Sequence, residues 1–181
     1  MEQKISVWKA NLNSGLILGF IGIVYSLVVY FLDLTFNKNL SYLFFVILIF
    51  LLFYLIRSYR NNYLNGYITY GQALGAGVII CLYYSIISAV FTYILYAFIY
   101  PELTKKQLAF FEEMMVKRGA PQQAIDAALA IQTKILKPAI IAPLSILGNM
   151  FYGTVISLIV SIFVRKEGNP LLDAPEKQEI V

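Results

Sequence analysis

Long apolar runs alternate with short polar ones along the chain. No Asp, Glu, Lys or Arg lies between Lys9 and Asp33, Lys38 and Arg57, Arg60 and Glu102, or Lys137 and Arg165. Each interval has room for the roughly 20 apolar residues that a membrane-spanning helix needs. The pattern predicts four transmembrane helices at about 14–34, 40–56, 72–98 and 139–164. The first apolar part, Gly15 to Leu32, is longer than a secretory h-region, and no A-x-A-like cleavage site follows it. It reads as a retained span.

The pattern within each span predicts its place. Residues 40–56, "LSYLFFVILIFLLFYLI", are bulky on every face and contain no glycine, which places this helix against lipid. The first span carries Gly15, Gly19, Gly22 and Ser26, a spacing that keeps small residues on one helix face. The third carries Ala73, Gly77, Cys81, Ser85 and Ala89, and the fourth Asn149, Gly153, Ser157 and Ser161, each four apart. Membrane helices gain little from burying apolar surface against one another, so close van der Waals approach must hold them together, and small residues permit it. The three stripes predict a compact core of spans one, three and four.

Between spans three and four the composition changes. Residues 101–138 gather ten charged side chains, from Glu102 to Lys137. Thr104 and Gln107 have capping-box spacing, Leu108, Phe111 and Met115 share a face, and Glu113 and Lys117 pair at i, i+4. Gly119 ends this helix, Pro121 starts a second, and Ile125, Ala128, Leu129, Ile135 and Leu136 form its apolar side. The reading is an all-α integral membrane bundle, one domain over 1–166, with an extramembrane helical hairpin at about 101–138. Residues 167–181 are polar, hold two prolines, and read as a disordered tail.

Composition agrees with the pattern: 60% of residues are hydrophobic and 13% charged, against about 45–50% and 25% in soluble domains. The net charge of +4 is spread over helix ends, so nucleic-acid binding has no support. With the N-terminus inside, Lys4, Lys9, Arg57, Arg60, Arg165, Lys166 and Lys177 lie on the inner side. Lys38, Lys105, Lys106, Lys117, Arg118, Lys134 and Lys137 lie on the outer. The counts tie. Arg57, Arg60, Arg165 and Lys166 abut span ends, which favours both termini in the cytoplasm.

Candidate chemistry is sparse. The chain has no histidine, which removes His-based triads and the H-E-x-x-H metal site. Cys81 sits among apolar neighbours without an activating partner and reads as packing. Glu112 and Glu113 are adjacent, hence on different helix flanks, and read as a solvated edge. No cofactor or metal is expected. Asn149 is the most polar residue within a span. It reads as interhelical hydrogen bonding, or alternatively as part of a polar site between spans three and four. Tyr59, Tyr63, Tyr67 and Tyr70, beside Arg57 and Arg60, read as an interfacial anchor.

"GYITYGQALGAG" (66–77) lacks G-x-G-x-x-G and a Walker Lys-Ser/Thr, so it is not a nucleotide loop. Thr69 and Gln72 stand at capping-box spacing and would close the start of span three. Gly71 and Gly75 would line one flank of that helix.

Together with "YRNN" (59–62), "VFTYILYAFIYPE" (90–102) and "GNMFYGTVISLIVSIFVRK" (148–166), this element resembles the bacterial family known as domain of unknown function 4199. The resemblance implies a four-span protein of the bacterial inner membrane and carries no mechanism. The expected function is a non-enzymatic membrane protein that works by helix packing, in contact with the lipid bilayer, self-associating or serving as accessory subunit to a membrane partner protein. The alternative is a small-solute or lipid transporter or channel component.

Overall fold

A computed structural model describes residues 6–168 of the chain. The expected tail falls, from residue 169 on, outside the described residues. Six α-helices follow in order: α1 (Val7–Phe31), α2 (Lys38–Tyr63), α3 (Tyr70–Ile94), α4 (Leu103–Lys117), α5 (Gln122–Ile135) and α6 (Pro138–Val164). A π-helical turn, Leu95–Ile99, extends α3. Among the described residues there is no strand. Four helices, α1, α2, α3 with its π turn, and α6, are long and apolar enough to cross a membrane.

Local chemistry sets the helix ends, and three lie away from the expected positions. Ser6 caps α1 by accepting from the Lys9 N–H at 3.4 Å, so this helix starts seven residues before position 14. It ends at Phe31 in a Schellman turn, with Asp33 N–H on Tyr30 O and Leu34 N–H on Val29 O. Asp33 takes the left-handed conformation there, φ +53°, a position that Asp tolerates better than most residues. The second helix runs on past residue 56 to Tyr63, because hydropathy marks where a helix leaves the apolar layer and not where its hydrogen bonds stop.

The expected capping box at Thr104 and Gln107 does not form. Glu102 occupies the N-cap position of α4 without a side-chain bond, which leaves Thr104 inside the first turn. Gly119, φ +72°, closes α4 in a second Schellman turn, with its N–H on Val116 O and that of Ala120 on Met115 O. Pro121 then caps α5.

Within the bundle α3 is the central helix, packing most extensively on α6 and next on α1. Leu18, Leu52, Ile56, Ala73, Ala76, Ile80, Cys81 and Val160 form the core between four helices. The placement of residues 40–56 against lipid therefore needs correction. Leu48, Leu52, Leu55 and Ile56 of α2 are buried, whereas Tyr42, Phe50 and Tyr54 point away from the bundle. A helix without glycine still packs when a neighbour supplies the notch. Here the notch is Gly77, where an added Cβ would lie 3.1 Å from Ile56 Cδ1. Outward-facing Phe20, Phe50, Phe151 and Phe163 give these helices an apolar exterior that suits hydrocarbon.

Candidate functional site

The stripes of small residues meet different partners. Between α3 and α6 the contact is small on small. A Cβ on Gly153 would sit 2.5 Å from Cys81 Sγ, and one on Gly77 would sit 2.6 Å from Ser157 Oγ. Ala73, Cys81, Ser85 and Ala89 are buried along the same α3 face. On α1 the glycines meet bulk instead. Gly15 receives Tyr83, with which a Cβ would overlap; Gly19 receives Ile87 and Gly22 the Tyr84 ring. One helix thus offers small residues to two neighbours differently: α3 lays its own small face on α6 and pushes Tyr83 and Ile87 into the glycine stripe of α1. Gly71 and Gly75 have no heavy atom within 4 Å of an added Cβ, so they take no part in either contact.

Hydroxyls in these contacts close mainly on their own helices. Ser157 Oγ donates to Gly153 O at 2.7 Å, Ser85 Oγ to Leu82 O at 2.8 Å, and Ser145 Oγ to Ala142 O at 2.7 Å. Such back-bonding satisfies a donor where hydrocarbon offers no acceptor. Asn149 is half-buried and reaches across, its Nδ2 donating to Ser88 Oγ at 3.2 Å. Replacing it with leucine is expected to cost about 0.6–1.7 kcal/mol, the range measured for interhelical bonds in a membrane bundle. Reversible unfolding in detergent measures the loss.

Two further contacts lie at the ends of the bundle, and neither was read from the pattern of small residues. At the end holding the α2–α3 turn, Thr69 Oγ1 accepts from Gln72 N–H at 3.3 Å and Gln72 Oε1 accepts from Thr69 N–H at 3.1 Å. Ile68 and Lys166 exchange two backbone hydrogen bonds, 2.8 and 2.9 Å. Arg60 Nη1 donates to Val164 O at 2.9 Å. Tyr59 is buried and its ring lies tilted against that of Tyr63, centroids 5.8 Å apart, and Tyr70 donates to Leu158 O at 3.3 Å. This cluster therefore joins α2, α3 and the end of α6, beyond the anchoring role read from its composition.

At the opposite end α4 and α5 lie against each other, with Leu108, Phe111, Ile125, Ala128 and Leu129 buried or half-buried, and Leu108 packs with Leu103, Leu136 and Tyr96 at the end of the bundle. Phe110 of α4 stacks on Phe36 of the α1–α2 turn, ring centroids 4.8 Å apart. Lys106 Nζ lies 3.0 Å from Asp33 Oδ1 and 5.2 Å from the Tyr100 ring centroid. The Tyr100 hydroxyl, and then Asp33, hold the Lys106 ammonium above its usual range. Both partners of this ion pair are exposed, so it orients α4 more than it stabilises the fold.

Beside the aromatic stack, a cavity of about 500 Å³ is lined by Phe36, Asn37, Asn39, Phe110, Glu113, Met114 and Lys117. Among the described residues no group of three His, Cys, Asp or Glu side chains has metal-site geometry.

The order of elements from α1 to the end of α6 can be set beside known families. The model of the family described as "Protein of unknown function (DUF4199)" matches residues 13–166. The chain belongs to the DUF4199 family. The matched range runs from within α1 to just past the end of α6 and includes α4 and α5 of this DUF4199 protein. No curated protein and no solved structure matches the chain.

Proposed function

We propose that this DUF4199 protein is a non-enzymatic, multi-pass protein of the bacterial inner membrane that works by association, either with copies of itself or as an accessory subunit. Both termini lie in the cytoplasm in this reading, and α4 and α5 form a helical hairpin on the opposite face. The observation that carries it is the α4–α5 pair. The two helices lie against each other, their charges are exposed, and Phe36, Phe110 and the Asp33–Lys106 pair mount them on the bundle. Leu103 and Leu108 of α4 and Leu136 after α5 pack with Tyr96 and Ile141 at the end of the bundle, so the pair is seated there, and its exposed charged side suits presenting a surface outside the lipid.

Gly15, Gly19, Gly22, Gly77 and Gly153 are taken up in contacts within one copy, which leaves the hairpin and the outer helix faces for association. Solution mass in detergent and in nanodiscs is expected to be a multiple of the 20.5 kDa chain, or that of a stable complex. A strictly monomeric, partner-free protein in both media would sink this reading.

Placement has its own test. In a Cys81→Ala background, Val116→Cys on the exposed side of α4 is expected to react with a membrane-impermeant maleimide added outside intact spheroplasts. Labelling only after lysis would reverse the orientation. A path for small solutes or lipids between α3 and α6 is the weaker reading, since Gly77 and Gly153 bring those helices into contact. Liposome flux that falls in Asn149→Leu would favour it.

A further inference from the structure

The cavity beside the Phe36–Phe110 stack lies at the level where helices leave the apolar layer. The apolar stretch of α1 ends at Phe31 and that of α2 begins at Asn39, so the turn between them sits at headgroup depth. One wall of the cavity comes from that turn and the other from α4. Its volume, about 500 Å³, is within the range of small-ligand sites, about 300–1,000 Å³. Among the described residues the lining offers aromatic carbon on Phe36 and Phe110, the Met114 thioether, amides on Asn37 and Asn39, and paired opposite charges. Lys117 Nζ and Glu113 Oε1 of the lining stand 2.6 Å apart, one turn apart on α4.

Side-by-side opposite charges suit a ligand that carries its own pair in the reverse order. A phosphoethanolamine group does so, with a phosphate and a primary ammonium joined by a two-carbon arm. The phosphate takes the Lys117 ammonium, the ligand ammonium gives its N–H groups to Glu113, and the aromatic rings accept the remaining positive charge on their faces. A glycerol headgroup can place the same phosphate on Lys117 but gives Glu113 only neutral hydroxyls, weaker donors than an ammonium. A choline headgroup has no N–H to give.

We propose that the cavity between the α1–α2 turn and α4 binds the headgroup of a phosphatidylethanolamine lipid, through Lys117 on the phosphate and Glu113 on the ammonium. The proposal rests on the reading that α4–α5 lies at the membrane surface.

The test is native mass spectrometry of the full chain with phosphatidylethanolamine, phosphatidylcholine and phosphatidylglycerol of equal acyl composition. The wild type is expected to retain phosphatidylethanolamine over each of the others by about tenfold, a ratio that one or two charge-assisted hydrogen bonds supply. Glu113→Gln removes the preference over phosphatidylcholine, Lys117→Ala lowers retention of phosphatidylethanolamine itself, and Lys134→Ala, which does not line the cavity, changes neither. Both cavity side chains are largely exposed, so unchanged melting temperatures will accompany these losses. Equal retention of the three lipids, or retention untouched by both cavity substitutions, overturns the proposal. Free phosphoethanolamine that competes as well as the lipid overturns the lipid as its source. If Val116→Cys is labelled from outside while lipid preference is absent, the cavity assignment fails and the placement of α4–α5 stands.

Discussion

Leucine at Gly153 is expected to leave the bundle unable to hold α3 against α6. Even the first added carbon would lie 2.5 Å from Cys81 Sγ and 2.7 Å from its Cβ, and the Cβ is fixed to the α3 backbone. The helices would have to separate, and separation removes contacts along the whole seam, including the one between Gly77 and Ser157. Overpacking a well-filled core costs about 1–3 kcal/mol and sometimes more. In a bilayer no hydrophobic force closes the gap again, so a loss of about 3 kcal/mol or more is expected.

Gly77→Leu should act similarly, since its Cβ would lie 2.6 Å from Ser157 Oγ and 2.9 Å from Ser157 Cβ. Gly148→Leu is the matched control on α6, because no heavy atom lies within 4 Å of an added Cβ there. Thermal unfolding in detergent reads all three. Gly153→Leu melting with Gly148→Leu would mean that the seam is not what holds these helices.

Arg60→Met is expected to have the next largest effect. The last carbonyls of α6 have no partner in their own helix, and the partial negative charge at a helix C-terminus favours a cation. Arg60 meets both needs from α2 by donating to Val164 O. Hydrogen bonds to charged groups contribute about 1.5–3 kcal/mol, and Arg60 is only half-buried, so a loss near the lower end, about 1.5 kcal/mol, is expected. The methionine keeps the length of the stem and removes the donor. The amides of Ile68 and Lys166, which pair next to this contact, should then exchange with deuterium several-fold faster, while Arg60→Lys restores part of the protection. Unchanged exchange at both amides would show that the backbone pair holds the end of α6 without Arg60.

Spacing of apolar and small residues carried much of the bundle, and its failures have physical causes. A charge-free interval predicts the stretch inside hydrocarbon, yet α2 continues through Arg57 and Arg60 because its backbone bonds continue beyond the lipid. Thr104 and Gln107 have the spacing of a cap, but Glu102 takes the cap position, so the spacing falls inside the helix. Thr69 and Gln72, with the same spacing, do stand at a helix start. The difference lies in where the preceding turn releases the chain. The placement of α2 missed Leu52 and Ile56 because nothing in a uniformly bulky helix marks the side that meets a notch on another. The cavity at Phe36 and Lys117 had no trace in either local pattern, since its walls come from segments some 80 residues apart.

By itself, the sequence determined that four helices are apolar enough to span a membrane, that α4 and α5 interrupt them, and which face of α1, α3 and α6 is small. These are properties of single helices, set by hydropathy over about 20 residues and by a period of 3.6. Only the tertiary structure decided which face meets which. Small residues permit close approach without choosing a partner. Gly15 could have met another glycine, yet it holds Tyr83, while Gly77 meets Ser157 and Gly153 meets Cys81. That choice depends on the register of three helices at once, because each large side chain must find a notch at its own height, and no single helix carries that information.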